Sequence, residues 1–208
     1  MAAVAKVHWV RRCLRWAWRI GVVLLLVAAI LYALFTGPRN LSQYPPSSAS
    51  PYYLPWPAGI TRRCVQGNRG VVSHRGFDEF SYDFAMPVGS DVCAARPGVV
   101  TFVIDSYDGN GINAENNCIA IRHGDATYGW YLHIKKGGAA VKKGDAVQRG
   151  QRIAASGNVG RSMLPHLHFH VHDKDYTHLP VTFADVPTDL GIPRMFKRYT
   201  SQNAAPVQ

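Results

Sequence analysis

His166-Leu167-His168-Phe169-His170-Val171-His172 places four histidines on alternate positions of one short run. Side chains two apart in a β-strand point to the same face. The run therefore predicts a strand with a row of imidazoles on one surface and an apolar row (Leu167, Phe169, Val171) on the other. Neutral imidazole is the commonest metal ligand and suits zinc. A His-rich surface strand is the bland alternative, but partners for this run occur elsewhere in the chain.

Working outward, the surrounding chain consists of short apolar runs punctuated by glycine: Gly98–Ile104, Cys118–Arg122, Tyr128–Leu132 and Gln151–Ala155. Strands of that length with turn signals between them predict an all-β domain. The stretch from Gly138 to Gly157 has the Val-x-x-Gly-Asp-x-Val spacing of the hairpins in biotinyl and lipoyl carrier domains. It lacks a displayed lysine beside methionine, so it reads as a structural module only. The segment from His178 holds three prolines before residue 195 and reads as a wrapping coil that frays after Thr200.

The chain has 208 residues and a formal net charge of +10, enough for one ordinary domain and a short appendage. The charge is unevenly spread. Lys6, Arg11, Arg12, Arg15, Arg19 and Arg39 lie in the first 39 residues, and no acid precedes Asp78. From Asn40 onward 17 basic residues face 13 acidic ones, so that part is only about +4. A mildly basic surface suits an anionic polymer. No arginine-rich run with interleaved aromatics argues for nucleic acid.

From Ile20 to Phe35 the chain carries no charge, and Trp16 and Trp18 precede it. This approaches the roughly 20 residues that cross a bilayer. The basic residues before it keep the N-terminus cytoplasmic and export the rest. An uncleaved anchor is favoured over a signal peptide, because no small-x-small site follows the run. Cys13 precedes the apolar run and does not support lipidation after it. The expected organisation is a cytoplasmic basic N-terminus (1–19), a transmembrane anchor (20–36), a Pro/Ser-rich linker (37–58), an all-β domain (59–180) and a C-terminal wrapping tail (181–208). Cys64, Cys93 and Cys118 fall in the exported part, with any pairing open and one left over. No Cys-x-x-Cys spacing supports a cysteine-rich zinc site.

A catalytic zinc usually takes three protein ligands and leaves a fourth position open. Candidates for such chemistry form three clusters: His74 with Asp78 or Asp83, His133, and His166 with His168. Four motifs then carry a resemblance. Asp83-Phe-Ala-Met-Pro-Val-Gly89, Ala94-Ala-Arg-Pro-Gly98-Val-Val, Tyr131-Leu-His133-Ile and Gly157-Asn-Val-Gly160-Arg-Ser-x-x-Pro165-His-Leu-His168-Phe resemble, in order, the lysostaphin/LytM-type zinc metallopeptidases. The similarity runs from about Val65 to Val171. It implies a compact antiparallel β-sheet or sandwich of the LytM (duplicated hybrid motif) type, a Zn2+ cofactor, and hydrolysis of peptide bonds in peptidoglycan. The basic N-terminus and the anchor add an expected location at the inner membrane, with the domain in the periplasm or on the cell-wall side.

Carried over by motif, the resemblance makes His74, Asp83 and His168 the metal ligands. His133 and His166 become the two histidines that move protons and stabilise the developing oxyanion. The family often spaces its first pair as His-x-x-x-Asp, which His74 and Asp78 fit literally. Yet the family's following text is attached to Asp83, so an insertion between His74 and Asp83 is favoured. His170 stands where many members carry glutamate. It lies on the metal face and either orients a ligand or has no role. His172 lies farther along, and His123 reads as a structural turn residue. Asn158, Arg161 and Ser162 are candidates for substrate contact or simple turn chemistry. The competing functional reading is a non-catalytic module of the same fold that binds and regulates another cell-wall enzyme. A metal-storage role for the histidine row leaves His74, Asp83 and His133 unexplained.

Overall fold

The computed structural model of the chain describes residues 2–35, 37 and 40–205. Positions 1, 36, 38, 39 and 206–208, at the edges of the expected anchor, linker and tail, lie outside the described residues. The chain divides into two units, residues 1–36 and 37–208.

The first unit is one α-helix, α1 (Ala2–Phe35). Its segment Arg11–Tyr32 is long and apolar enough to cross a membrane by length and composition. The helix therefore begins well before the charge-free run that marks it in the sequence, because arginine and alanine favour helix as readily as leucine does.

The second unit contains eleven described strands and only single turns of 3-10 helix. They are β1 (Thr61–Gln66), β2 (Tyr82–Ala85), β3 (Asp91–Cys93), β4 (Gly98–Ile104), β5 (Cys118–Arg122), β6 (Tyr128–Leu132), β7 (Ile134–Ala139), β8 (Ala146–Val147), β9 (Arg152–Ser156), β10 (His166–His172) and β11 (Arg198–Thr200). An eight-stranded sheet runs β11-β1-β2-β10-β6-β5-β4-β8, and a three-stranded sheet runs β3-β9-β7. Every strand pair is antiparallel. The strands read from the apolar runs form where expected, and the fold is all-β.

β10 lies between β2 and β6 near the middle of the large sheet. Leu167, Phe169 and Val171 are fully buried in the core beside Tyr82, Phe84, Ile119, Ile121 and Tyr131. The histidines take the opposite face, as period-2 alternation requires. The register sets Asp83 directly opposite His168 on one side, and Gln66 opposite Asp83 on the other. Directly opposed residues are the closest side-chain neighbours in a sheet.

Two expectations need correction. The Pro-rich stretch read as a linker belongs to the folded unit. Leu54 and Trp56 are fully buried, Tyr44 and Tyr52 nearly so, and all four join the core. Trp56 meets Phe84 edge-on at 4.9 Å and donates its indole N–H to the Ile60 carbonyl at 2.8 Å. Proline and serine break regular structure without preventing burial of the aromatics between them. Among the described residues the tail also does not fray directly after Thr200: β11 pairs with β1, and Ser201 and Asn203 are buried. The Asp185 carboxylate ties both segments together by accepting from the Leu54 and Gln202 backbone N–H groups at 3.0 and 2.9 Å. Cys64, Cys93 and Cys118 are buried free thiols.

His123 fills the turn after β5, its Nδ1 2.8 Å from the Pro97 carbonyl. Burial outweighs that bond and pushes its pKa from 6.5 down to about 4. Unfolded His123 is therefore protonated between those two values while the folded form is not. Stability present at neutral pH falls as pH drops through that window, by up to about 3 kcal/mol for this group alone. Denaturant titrations between pH 7 and 4 should show this decline, and His123→Asn should make it shallower. Trp56→Ala should lower unfolding free energy by about 3–5 kcal/mol. A change under about 0.5 kcal/mol, as for a surface site, would return residues 40–58 to the status of a linker.

Candidate metal centre

β1 builds the site's first part. Gln66 sits at the end of β1, and its amide nitrogen donates to Asp83 Oδ2 at 3.0 Å. Its carbonyl oxygen accepts from the Val72 and Ser73 backbone N–H groups at 2.9 and 3.1 Å. One side chain thus fixes both the carboxylate and the loop leading to His74. The Gly67 carbonyl accepts from His74 Nδ1 at 2.9 Å. That bond places the proton on Nδ1 and leaves Nε2 as the free nitrogen.

His74 Nε2 lies 3.2 Å from Asp83 Oδ2. His168 Nδ1 lies 2.8 Å from Asp83 Oδ1. Ligand atoms from His74, Asp83 and His168 all fall within 4.8 Å of one another. His74 is completely buried, and its Nε2 faces the Asp83 carboxylate without a well-formed hydrogen bond among the described residues. A buried, unbonded imidazole nitrogen is costly unless something else fills its valence. Two imidazoles and one carboxylate form a donor set that fits zinc. Asp78 lies outside this cluster, in the single turn Gly76–Asp78 between His74 and β2. Burial alone would raise the Asp83 carboxyl, but the hydrogen bond from His168 and the nearness of both His168 and His74 hold it well below the usual carboxylate range. Burial likewise opposes protonation of His74, and Asp83 reverses that effect.

His166 and His133 stand beside this triad. Their rings are 4.4 Å apart, and His133 lies 6.0 Å from His168. His166 Nε2 is 3.5 Å from Asp83 Oδ1, and its Nδ1 faces the Leu164 carbonyl at 2.7 Å. His133 Nδ1 faces the Val159 carbonyl at 2.8 Å. Burial, then the neighbouring His166 and His168, push the His133 pKa down to about 3.

His133 reaches this face through a break in alternation. Tyr131 points into the core and Leu132 lies opposite His168, so regular alternation would send His133 coreward with Tyr131. Instead its φ is +64°, a left-handed conformation uncommon outside glycine. Asn116 Oδ1 accepts from the His133 backbone N–H at 3.1 Å, and Asn117 Nδ2 donates to the next carbonyl, Ile134, at 3.1 Å. Two glycines let the opposing loop close on this kink. A Cβ on Gly157 would stand 2.7 Å from the His133 carbonyl oxygen, and one on Gly160 would meet Asn116 at 2.7 Å.

Asn158 and Ser162 bond each other at 2.6 Å, and Ser162 Oγ also lies 3.2 Å from His166 Nδ1. Arg161 is exposed. His170 Nδ1 lies 3.2 Å from His168 Nε2, whereas His172 bonds the Asp173 carbonyl. The sequence reading missed Gln66, Asn116 and His178. Gln66 ends the run before the Gly67 turn, and Asn116-Asn117 is a polar pair preceding a strand; neither has a distinctive spacing. His178 stacks on His170 at 4.1 Å, a proximity created by the turn after β10.

Comparison with known proteins identifies the family of the β domain. Residues 78–180 match the model of peptidase family M23, a region that holds Asp83, His133, His166 and His168. The chain is 40% identical over 109 residues to the peptidoglycan DD-endopeptidase ShyA of Vibrio cholerae, covering 52% of this chain and 22% of ShyA. It is 35% identical over 118 residues to lysostaphin of Staphylococcus simulans, covering 56% and 20% respectively. The chain thus spans about a fifth of the length of these relatives. Among solved structures, the M23 metalloprotease pseudoalterin from the deep sea superposes with a TM-score of 0.50 at 19% identity, over 76% of this chain and 99% of that one. Through its all-β domain, the chain belongs to peptidase family M23.

Proposed function

We propose that this protein is a zinc-dependent endopeptidase that hydrolyses peptide bonds in peptidoglycan stem peptides or cross-bridges. We further propose that α1 anchors it in the inner membrane with the β domain in the periplasm. The observation that carries the enzymatic reading is the convergence of His74 Nε2, Asp83 and His168 Nδ1 beside two further histidines whose Nδ1 atoms are already engaged. The anchor rests on Arg11–Tyr32 and the basic residues at its N-terminal end. The substrate class follows from the names of the relatives, ShyA above all.

His74, Asp83 and His168 would hold the ion. Bound zinc supplies Lewis acidity, acidifying water and polarising a peptide carbonyl. The protein's remaining work is positional. Gln66 and the Gly67 carbonyl hold Asp83 and His74 in place. His133 and His166 each commit Nδ1–H to a backbone carbonyl, so each neutral ring keeps a lone pair on Nε2. One such nitrogen would take a proton from the attacking water; while protonated, that ring donates toward the developing negative charge, and it then gives the proton to the leaving amine. With their rings 4.4 Å apart, the two histidines can serve the two sides of one tetrahedral centre.

Full-length protein in detergent should release peptides from purified peptidoglycan, lose that activity to a chelator and regain it with zinc. His133→Ala should keep the metal and lose about 10²–10⁴-fold in rate. Zinc bound at one per chain with no cleavage of intact or predigested wall would overturn the enzyme in favour of a regulatory module. Asn116→Ala should reduce kcat at least tenfold with little change in zinc content, since it frees the His133 kink while sparing the three ligands. Unaltered kcat in a folded Asn116→Ala protein would remove Asn116 from the account.

A further inference from the structure

Beyond His168 the metal face of β10 continues with His170, which is 8% exposed. Its Nδ1 lies 3.2 Å from His168 Nε2. The other nitrogen of His168, Nδ1, is the one turned toward Asp83 and the triad. A ring nitrogen that ligates a metal carries no proton, so the proton of a neutral ring sits on the other nitrogen. For His168 that proton belongs on Nε2, and the atom positioned to accept it is His170 Nδ1.

His170 is itself held between aromatic surfaces. His178 stacks on it at 4.1 Å with an interplanar angle of 19°, and the Trp130 ring lies nearly parallel at 6.2 Å and 14°. Phe77 packs on His178 at 4.2 Å. His178 is brought there by its antiparallel bridge to His172, and Phe77 comes from the turn between His74 and Asp83. Both His178 nitrogens are buried without a hydrogen-bond partner among the described residues. Its visible contribution is therefore its ring face rather than a polar contact. The column Phe77–His178–His170 ends on the back of a metal ligand.

We propose that His170 is a positioning residue for the metal centre: it accepts the Nε2–H of His168 and, braced by His178, sets that ligand's tautomer and ring rotation. The proposal rests on the assignment of His168 as a ligand. In the metal-free protein His168 Nδ1–H donates to Asp83, and His170 Nδ1–H can donate to His168 Nε2. On metal binding both rings shift their proton from Nδ1 to Nε2, so the pair admits the ion without net loss of a proton from either ring.

Zinc affinity of the full-length protein in detergent, measured by competition with a chromophoric chelator, tests this. His170→Ala should weaken zinc binding by about 10–100-fold. His170→Asn, whose side-chain oxygen can occupy the place of Nδ1, should recover most of that loss; a packing role alone predicts no such rescue. His178→Phe keeps a ring for the stack and should bind zinc nearly as the parent does, while His178→Ala should bind it more weakly. Thermal unfolding of each metal-free variant reports whether it is folded. A folded His170→Ala protein with parental affinity, or equal losses in His170→Ala and His170→Asn, would overturn the proposal. Should His170→Ala not fold, equal affinities for His178→Phe and His178→Ala would do so. Absence of zinc binding by the parent chain would instead remove the metal centre itself.

Discussion

The pairing of β2 with β10 is the constraint on which the site depends. It sets Asp83 directly across from His168, so a carboxylate and an imidazole share one face of the sheet at the shortest cross-strand spacing. A one-residue slip would turn every histidine of β10 into the core and expose Leu167, Phe169 and Val171 to water. Burial of those three residues therefore locks the register, and the register in turn brings Asp83 and His168 together. The interaction that stabilises the fold and the one that creates the centre are two faces of the same ladder.

His74 and His133 reach the centre by departing from regular structure. His74 comes from a loop, and its position is transmitted through Gln66 and the Gly67 carbonyl. His133 sits at a left-handed kink between β6 and β7 that Asn116 and Asn117 bracket on either side. Such a conformation costs of order 1–3 kcal/mol. The core around it, with Tyr131 and Ile134 fully buried, holds the kink in place. The Gly157 and Gly160 positions also acquire a physical meaning: each permits a close backbone approach that puts the Val159 carbonyl on the His133 ring.

Segments outside the central sheet contribute more than their composition suggests. Trp56 and Leu54 from the Pro-rich stretch, and Phe183, Val186 and Tyr199 from the C-terminal segment, enter the same core as the strands. The buried Asp185 carboxylate joins the two segments through backbone N–H groups. Burial raises its pKa despite those bonds, which marks a desolvated charge tolerated for the connections it makes. These segments back the strands whose opposite face carries the histidines.

Much of this protein is legible without coordinates. Alternation in residues 166–172 is a local property, so it fixes a strand, its two faces and a row of imidazoles whatever the rest of the chain does. Glycine-bounded apolar runs likewise specify strands, and the charge-free run from Ile20 marks the apolar helix. The order of motifs specifies the family. What local pattern cannot convey is which distant residues become neighbours. The choice between Asp78 and Asp83 as neighbour of His74 and His168 follows from strand register, a non-local quantity that the short His74–Asp78 spacing obscures. His133 violates the alternation that serves so well elsewhere, because a tertiary clamp stabilises a backbone conformation that no propensity favours. Residues 37–58 read as linker because proline and serine dominate their composition, but burial is decided by the surface available to receive Trp56 and Leu54, and that surface exists only once the sheet has formed. His178 and His170 stack for the same reason: the chain turns back after β10, and only the folded molecule brings the two rings together.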